Sequence, residues 1–188
     1  QGIPNLNDLE LNFLYPPMDP PVSRITRDAK TDTLYYWFRD PIETDSVSLE
    51  YVTPRQRDTV YIRMAQLARD SLNIQAEPSG KIEYNQPLLL KANTPLVEKN
   101  DALITILDKD SVEVNFTSEL RGLENQLEIY FDKEPEGTYY FKALPGSLTD
   151  LFGDQNDTIS QKLTTKPLSE YGSIIMSLRN VRSYPMIV

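Results

Sequence analysis

Apolar and polar residues alternate in short runs along most of the chain, and between residues 32 and 76 these runs begin at regular intervals. Four Asp-Thr or Asp-Ser pairs, spaced 12 or 13 residues apart, each precede a run: Asp32-Thr33, Asp45-Ser46, Asp58-Thr59 and Asp70-Ser71. Alternation with a period of two is typical of half-buried strands, and a short Asp side chain suits the turn before each one. The pattern predicts strands over 34–38, 47–52, 60–64 and 72–76. Strands at this spacing predict an all-β sandwich or barrel.

A second set of alternating runs follows Pro78-Ser79-Gly80, which interrupts the pattern. Its predicted strands cover 82–91, 103–107, 112–116, 127–131, 139–144 and 159–163. Pro87 lacks an amide donor, which restricts its run to a sheet edge or a bulge. We therefore predict a β-sandwich domain over residues 1–79 and a second one over residues 80–166.

The connection between the last two predicted strands has signals of its own. Pro145-Gly146 stops the first strand, and the second begins at Thr158. Between them the spacing predicts a single helical turn, capped by Ser147 and ended by Gly153, with Leu148, Leu151 and Phe152 facing inward. The two strands are expected to form the closing pair of the second sandwich.

The two ends of the chain are less regular. Leu9 to Tyr15 alternates and is followed by prolines at 16, 17, 20 and 21, which indicates an edge strand and a stiff connector. A polyproline ligand for a partner is the alternative. Alternation starts again at Ile174, Met176 and Leu178, so residues 167–188 are expected to begin a further β element that is cut off. Such a segment would lie against the second domain or pair with another copy.

Charge limits the choice of partners. The formal net charge is -9 and the sequence pI is about 4.6, whereas nucleic acids and anionic membranes attract clustered Lys and Arg. We therefore expect no nucleic-acid partner. No apolar run approaches the roughly 20 residues that a spanning helix requires, and no basic-then-apolar leader is visible in this sequence.

The chain contains no Cys and no His. Zinc sites with the usual ligands, Cys nucleophiles, Ser-His-Asp triads and histidine acid-base catalysis are therefore excluded. Two groups of carboxylates are the remaining candidates for calcium, namely Asp108, Asp110 and Glu113, and Asp150, Asp154 and Asp157. Neither has the offsets of an EF-hand loop. The sequence predicts no enzyme, cofactor, metal or catalytic residue.

The aromatic run Tyr35-Tyr36-Trp37-Phe38 allows two interpretations. Alternation puts Tyr35 and Trp37 on one face of a strand, and Tyr36 and Phe38 on the other. In the first interpretation, the strand is central and its second face is covered by a loop or by the next domain. In the second, Tyr35 and Trp37 form an exposed platform that stacks on a sugar ring or a peptide.

Five segments carry a resemblance to a known family: TDTLYYWF, EPSGKIEYNQPLLLKANTPLV, ILDKDSVEVNF, LPGSLTDLFGDQNDT and YGSIIMSLRNVRSYPMIV. From about residue 24 to 188, the chain resembles the C-terminal part of Ig-like-domain lipoproteins of the Bacteroidota cell envelope, whose Ig-like domains are of the S-layer-protein type. The resemblance implies tandem Ig-like β-sandwiches with short connecting turns. It also implies a place in the periplasm or at the cell surface, associated with the outer membrane through a lipid-bearing cysteine upstream of residue 1.

The expected function is a non-enzymatic structural or interaction module that contacts a protein partner in the envelope or acts as a spacer. Two alternatives stay open at this point. One is a carbohydrate-binding module that uses the aromatic strand 35–38, with a glycan as partner. The other is an accessory subunit of an outer-membrane assembly or secretion machine.

Overall fold

The computed structural model describes residues 9–17, 21–28, 30–31, 33–64 and 70–172, and nearly all of its regular structure is β-strand. Its strands are β1 Glu10–Tyr15, β2 Ser23–Asp28, β3 Thr33–Phe38, β4 Ser46–Val52, β5 Arg57–Arg63, β6 Ile74–Glu77, β7 Gly80–Lys81, β8 Leu88–Ala92, β9 Leu96–Lys99, β10 Ile104–Asp108, β11 Phe116–Arg121, β12 Gln126–Phe131, β13 Thr138–Ala143, β14 Leu148–Asp150 and β15 Ile159–Thr164. Within the described ranges, two short 3-10 helices cover Asp101–Leu103 and Leu168–Glu170. The predicted all-β class is confirmed.

The N-terminal strands form a sheet and a ribbon. Strands β1, β4 and β5 make an antiparallel sheet in the order β1-β4-β5, and β2 pairs with β3. The Phe13 ring of β1 lies 6.4 Å from the Tyr36 ring and 6.0 Å from the Phe38 ring, between centroids. The ribbon therefore packs one aromatic face of β3 against the sheet.

The C-terminal strands form two four-stranded sheets, in the orders β11-β12-β8-β6 and β10-β13-β15-β7. Neighbouring strands are antiparallel except β7, which runs parallel to β15. Apart from β7, which adds a fourth strand beside β15, this arrangement matches the immunoglobulin constant-type order, in which strands ABED face strands CFG. The inward residues of both sheets form one apolar core; its fully buried members include Leu88, Leu90, Ile106, Leu127, Ile129, Phe141, Leu148 and Leu163.

Several predicted strands coincide with observed ones to within about three residues, namely 34–38, 47–52, 60–64, 103–107, 127–131, 139–144 and 159–163. Strand β6 overlaps the prediction over 72–76 but pairs with β8 across the predicted boundary at residue 79. Ile74 and Ala76 pack against the core of the C-terminal sandwich. The strand expected to close the first domain thus belongs to a sheet of the second, because its apolar face is buried there.

Two predicted strands are corrected. In the extended run predicted over 82–91, residues 82–87 are not strand, since β7 ends at Lys81 and β8 begins only at Leu88. The strand predicted over 112–116 begins only at Phe116, because Glu113 bridges back to Leu107 of β10 and the chain then crosses to the other sheet, where it forms β11. Alternation continues through both crossings, so the pattern alone does not mark them.

The helical turn predicted from Ser147 to Gly153 is wrong. Residues 148–150 form β14, which pairs with β9. Buried Asn156 holds this strand, since its Oδ1 accepts hydrogen bonds from the Leu148 amide (2.7 Å) and the Ser147 hydroxyl (3.2 Å). The predicted inward direction of Leu148 and Leu151 is nevertheless confirmed, since both are buried.

Past β15, the chain is tied to the turn before β8. The Tyr171 and Tyr84 rings are tilted by 46° with their centroids 4.9 Å apart, and the Tyr171 hydroxyl donates to the Glu83 carboxylate. This hydrogen bond raises the pKa of Tyr171 to about 12 and lowers the pKa of Glu83, which also faces Lys166 at 3.0 Å.

The β element predicted over 167–188 lies outside the described residues from 173 onward. Within the described ranges, no helix is long and apolar enough to cross a membrane.

Candidate interaction surface

Tyr35 and Trp37 lie on the same face of β3, as alternation predicts, with ring centroids 6.1 Å apart. Tyr35 is 47% exposed, whereas Trp37 is half-buried. The Trp37 ring meets Phe152 of the C-terminal sandwich edge-on at 6.5 Å, and its Nε1 donates to the Thr26 hydroxyl at 2.8 Å. This geometry favours the first interpretation, in which the next domain covers the second face of the strand.

The contact between Trp37 and Phe152 gives a spectroscopic prediction. Because Trp37 is the single tryptophan of the chain, the emission reports only on the surroundings of this indole. Phe152→Ala exposes the indole edge to water, and we expect the emission maximum to move to longer wavelength. Phe152→Leu keeps apolar cover and serves as control. An unchanged maximum in Phe152→Ala would show that this contact does not shield the indole in solution.

Strand β5 is the most exposed apolar strand among those described. It lies at the edge of its sheet, and Val60, Tyr61 and Ile62 are 43%, 83% and 40% exposed. Its neighbour β4 carries Leu49 opposite Val60, and Leu49 in turn faces Phe13 of β1. An apolar row therefore crosses the sheet and ends uncovered at the outer edge.

No strand of the described residues pairs with the outer edge of β5, so part of its backbone has hydrogen-bonding groups without a strand partner there. Thr53 and Gln56 exchange both hydrogen bonds at the hairpin turn, and the Met64 amide donates to the Asp45 carbonyl at 2.8 Å. Directly opposite residues of an antiparallel pair alternate between bonded and non-bonded pairs. Counting from the bonded pair Thr53–Gln56, the even-numbered residues of β5 form the hydrogen bonds to β4. The N–H and C=O groups of Thr59, Tyr61 and Arg63 therefore point away from the sheet.

Two clefts of the C-terminal sandwich are weaker candidates. One, of about 380 Å³, lies beside Lys133, whose ammonium donates to the carbonyls of Tyr84 (3.3 Å) and Phe131 (3.1 Å) and sits 4.3 Å from the Phe131 ring centroid. Burial lowers the pKa of Lys133. Because the chain itself supplies these contacts, a structural role explains this lysine.

The other cleft, of about 560 Å³, lies on the outer face of β10, β13 and β15. Tyr140 and Leu144 are 46% and 41% exposed there, and the Lys162 ammonium lies 5.8 Å from the Tyr140 ring centroid. This face belongs to paired strands, so it offers side chains but no free backbone groups in its middle. Tyr140 is therefore a suitable control position for substitutions on β5.

The carboxylates considered for calcium organise turns. Asp108 Oδ1 accepts from the amides of Asp110 (2.8 Å) and Val112 (2.9 Å), which closes the turn after β10. Asp150 Oδ1 accepts from the amides of Phe152 (2.9 Å) and Asp154 (2.8 Å). Within the part of the chain that the structure describes, no three His, Cys, Asp or Glu residues are grouped so as to hold a metal ion.

Comparison with known proteins adds little to this description. No protein-family model matches the chain, and no curated protein matches its sequence. Among solved structures, the chain is similar to domains 4 and 5 of the S-layer protein SbsC, with 11% sequence identity and a TM-score of 0.31, over 88% of this chain and 74% of that chain. A TM-score this low carries no argument, so the fold rests on the strands and pairings described above.

Proposed function

We propose that the chain is a non-enzymatic interaction module, built of β units in tandem, that contacts a protein partner by adding a strand to β5. The observation that carries the proposal is the outer edge of β5, with which no described strand pairs and where Val60, Tyr61 and Ile62 are exposed. Soluble proteins usually protect such edges, because an unpaired strand is a template for another chain. Charged Arg57, Asp58 and Arg63 flank this edge, but its centre carries large exposed apolar side chains, which indicates a binding surface.

The proposed place of action is the bacterial envelope, in the periplasm or at the cell surface, with an upstream lipid anchor. The resemblance of residues 24–188 to envelope lipoproteins supports this location. In that setting, the module either joins envelope proteins or serves as an accessory subunit of an outer-membrane machine. The absence of Cys and His from the sequence supports a role without catalysis.

A carbohydrate-binding role is the second candidate, favoured by the neighbouring rings of Tyr35 and Trp37 and by the 47% exposure of Tyr35. Aromatic faces of this kind stack on sugars. The half-buried position of Trp37 argues against a flat platform of two rings. Tryptophan emission that does not respond to any envelope glycan would remove this candidate.

Capture from the native envelope tests the proposed function. The wild-type chain and Ile62→Lys are used as baits in parallel, with Tyr140→Lys as a control of equal charge change on a different sheet. We expect a defined partner with the wild type and the control, and its loss with Ile62→Lys, because a buried lysine opposes strand addition. Partners that bind all three baits equally would contradict a role for β5.

A further inference from the structure

We infer that the strand added to β5 is β5 of a second copy of this chain, which gives a symmetric dimer with Tyr61 on its two-fold axis. This inference deepens the proposed function and rests on it, since it names the partner of the same edge. Two three-stranded sheets would join into one continuous six-stranded sheet in the order β1-β4-β5-β5-β4-β1. Isologous pairing of this kind is the commonest form of homodimer.

The geometry of a sheet restricts the pairing. Antiparallel neighbours related by a two-fold axis have that axis perpendicular to the sheet, so each residue faces one whose side chain lies on the same side. The axis therefore lies midway between two copies of one residue of β5, the residue on the axis, and this residue faces its own copy. The free backbone groups of Thr59, Tyr61 and Arg63 then have to meet those of the other copy in bonded pairs.

Charge disfavours one of the registers that remain, and the pairing of apolar side chains favours another. With Val60 on the axis, Arg57 of each copy lies directly opposite Arg63 of the other, and like charges in opposite positions are unfavourable. With Tyr61 on the axis, Thr59 faces Arg63, and Val60 faces Ile62. No like charges are then opposite within β5, and the apolar side chains are paired across the junction.

The selected register also continues the apolar row of the sheet. Phe13, Leu49 and Val60 are consecutive cross-strand neighbours. Ile62 of the second copy would extend this row, followed by its own neighbour Val47, which is 3% exposed. In the dimer, Val60 and Ile62 thereby gain apolar neighbours on the side of β5 that is uncovered in the single chain.

Sedimentation of the full chain tests the dimer. We expect reversible dimerisation that depends on protein concentration, and Ile62→Lys to weaken it about tenfold or more, because two lysines enter the junction. Tyr140→Lys should leave dimerisation unchanged. A chain that stays monomeric up to its highest soluble concentration would overturn the inference. A dimer that Ile62→Lys does not weaken would also overturn it.

Single cysteines then test the register, since the natural chain contains none. A mixture of Val60→Cys and Ile62→Cys chains should form a mixed disulfide under mild oxidation, because opposite residues in a non-bonded pair lie about 4.5 Å apart between Cα atoms. Val60→Cys alone should cross-link poorly, since its copies are offset diagonally, about 7 to 8 Å apart. Efficient cross-linking of Val60→Cys alone would overturn the register with Tyr61 on the axis.

The two proposals fail separately. A monomeric chain whose envelope partner is still lost in Ile62→Lys overturns the dimer and leaves the interaction role intact. A cross-linked dimer with no β5-dependent envelope partner supports self-association, and it limits the proposed function to contacts between copies.

Discussion

Phe141→Ala is expected to destabilise the C-terminal sandwich by about 3–5 kcal/mol, because it removes a large side chain from a core that cannot collapse around the cavity. Phe141 is 1% exposed, lies in the middle strand pair β13–β15, and packs in one cluster with residues from both sheets. A domain has only ~5–15 kcal/mol of net stability. Urea unfolding followed by far-ultraviolet circular dichroism measures this loss.

The neighbouring residue supplies the matched control. Tyr140 points to the opposite face of the same strand and is 46% exposed, so Tyr140→Ala should change the free energy of unfolding by no more than about 1 kcal/mol. Equal losses in Phe141→Ala and Tyr140→Ala would contradict the assignment of the buried face. The same result would question the register of β13 with β15.

Asn125→Ala has the second large expected effect, a loss of about 3 kcal/mol. The carboxamide of Asn125 accepts from the Leu96 amide (2.9 Å) and donates to the carbonyls of Ala92 (2.8 Å) and Thr94 (2.9 Å). Asn125 is 8% exposed, so its removal leaves buried groups without partners, at about 1–3 kcal/mol. Its φ of 53° adds a cost of roughly 1 kcal/mol for a residue with a Cβ that lacks the local hydrogen bonding of Asn.

Asn125→Gly separates the two contributions. Glycine loses the same three hydrogen bonds but adopts a positive φ without steric cost, so this variant should be more stable than Asn125→Ala by about 1 kcal/mol. Urea midpoints of the two variants and the wild type measure the difference. If Asn125→Ala is as stable as the wild type, the side-chain hydrogen bonds do not hold the turn before β9.

Local alternation predicted the all-β class and many of the strands, because each strand buries one face and period-two burial is visible in the sequence. The aromatic run 35–38 illustrates this. Its two faces are assigned correctly, and each face finds an aromatic neighbour, Phe13 on one side and Phe152 on the other. Which elements supply those neighbours depends on tertiary packing, which alternation does not contain.

Crossings between sheets were the main source of error. Strand β6 looks like a continuation of the N-terminal rhythm, yet Ile74 and Ala76 are buried by the C-terminal core. Leu148, Leu151 and Phe152 have helical spacing, but residues 148–150 form β14, which pairs with β9 and is held by a hydrogen bond to Asn156. In both cases a long-range contact overrides a local pattern, and a single sequence carries no signal for that contact.

The candidate surface on β5 was predicted as a strand but not as an edge. The run from Val60 to Met64 alternates like the others, and its exposure on both faces follows only from the sheet order. Two buried asparagines, Asn125 and Asn156, were likewise not predicted. Their burial, and the backbone groups they bind, required the structure.

Residue-resolved hydrogen exchange of β5 tests the central claim most directly. The amide of Ile62 is bonded to β4, whereas that of Tyr61 points to the outer edge. We expect Ile62 to be protected at every protein concentration, and the exchange of Tyr61 to slow as concentration rises and the second copy pairs with it. A Tyr61 amide that exchanges at the same rate in dilute and concentrated protein would contradict strand addition by a second copy at this edge.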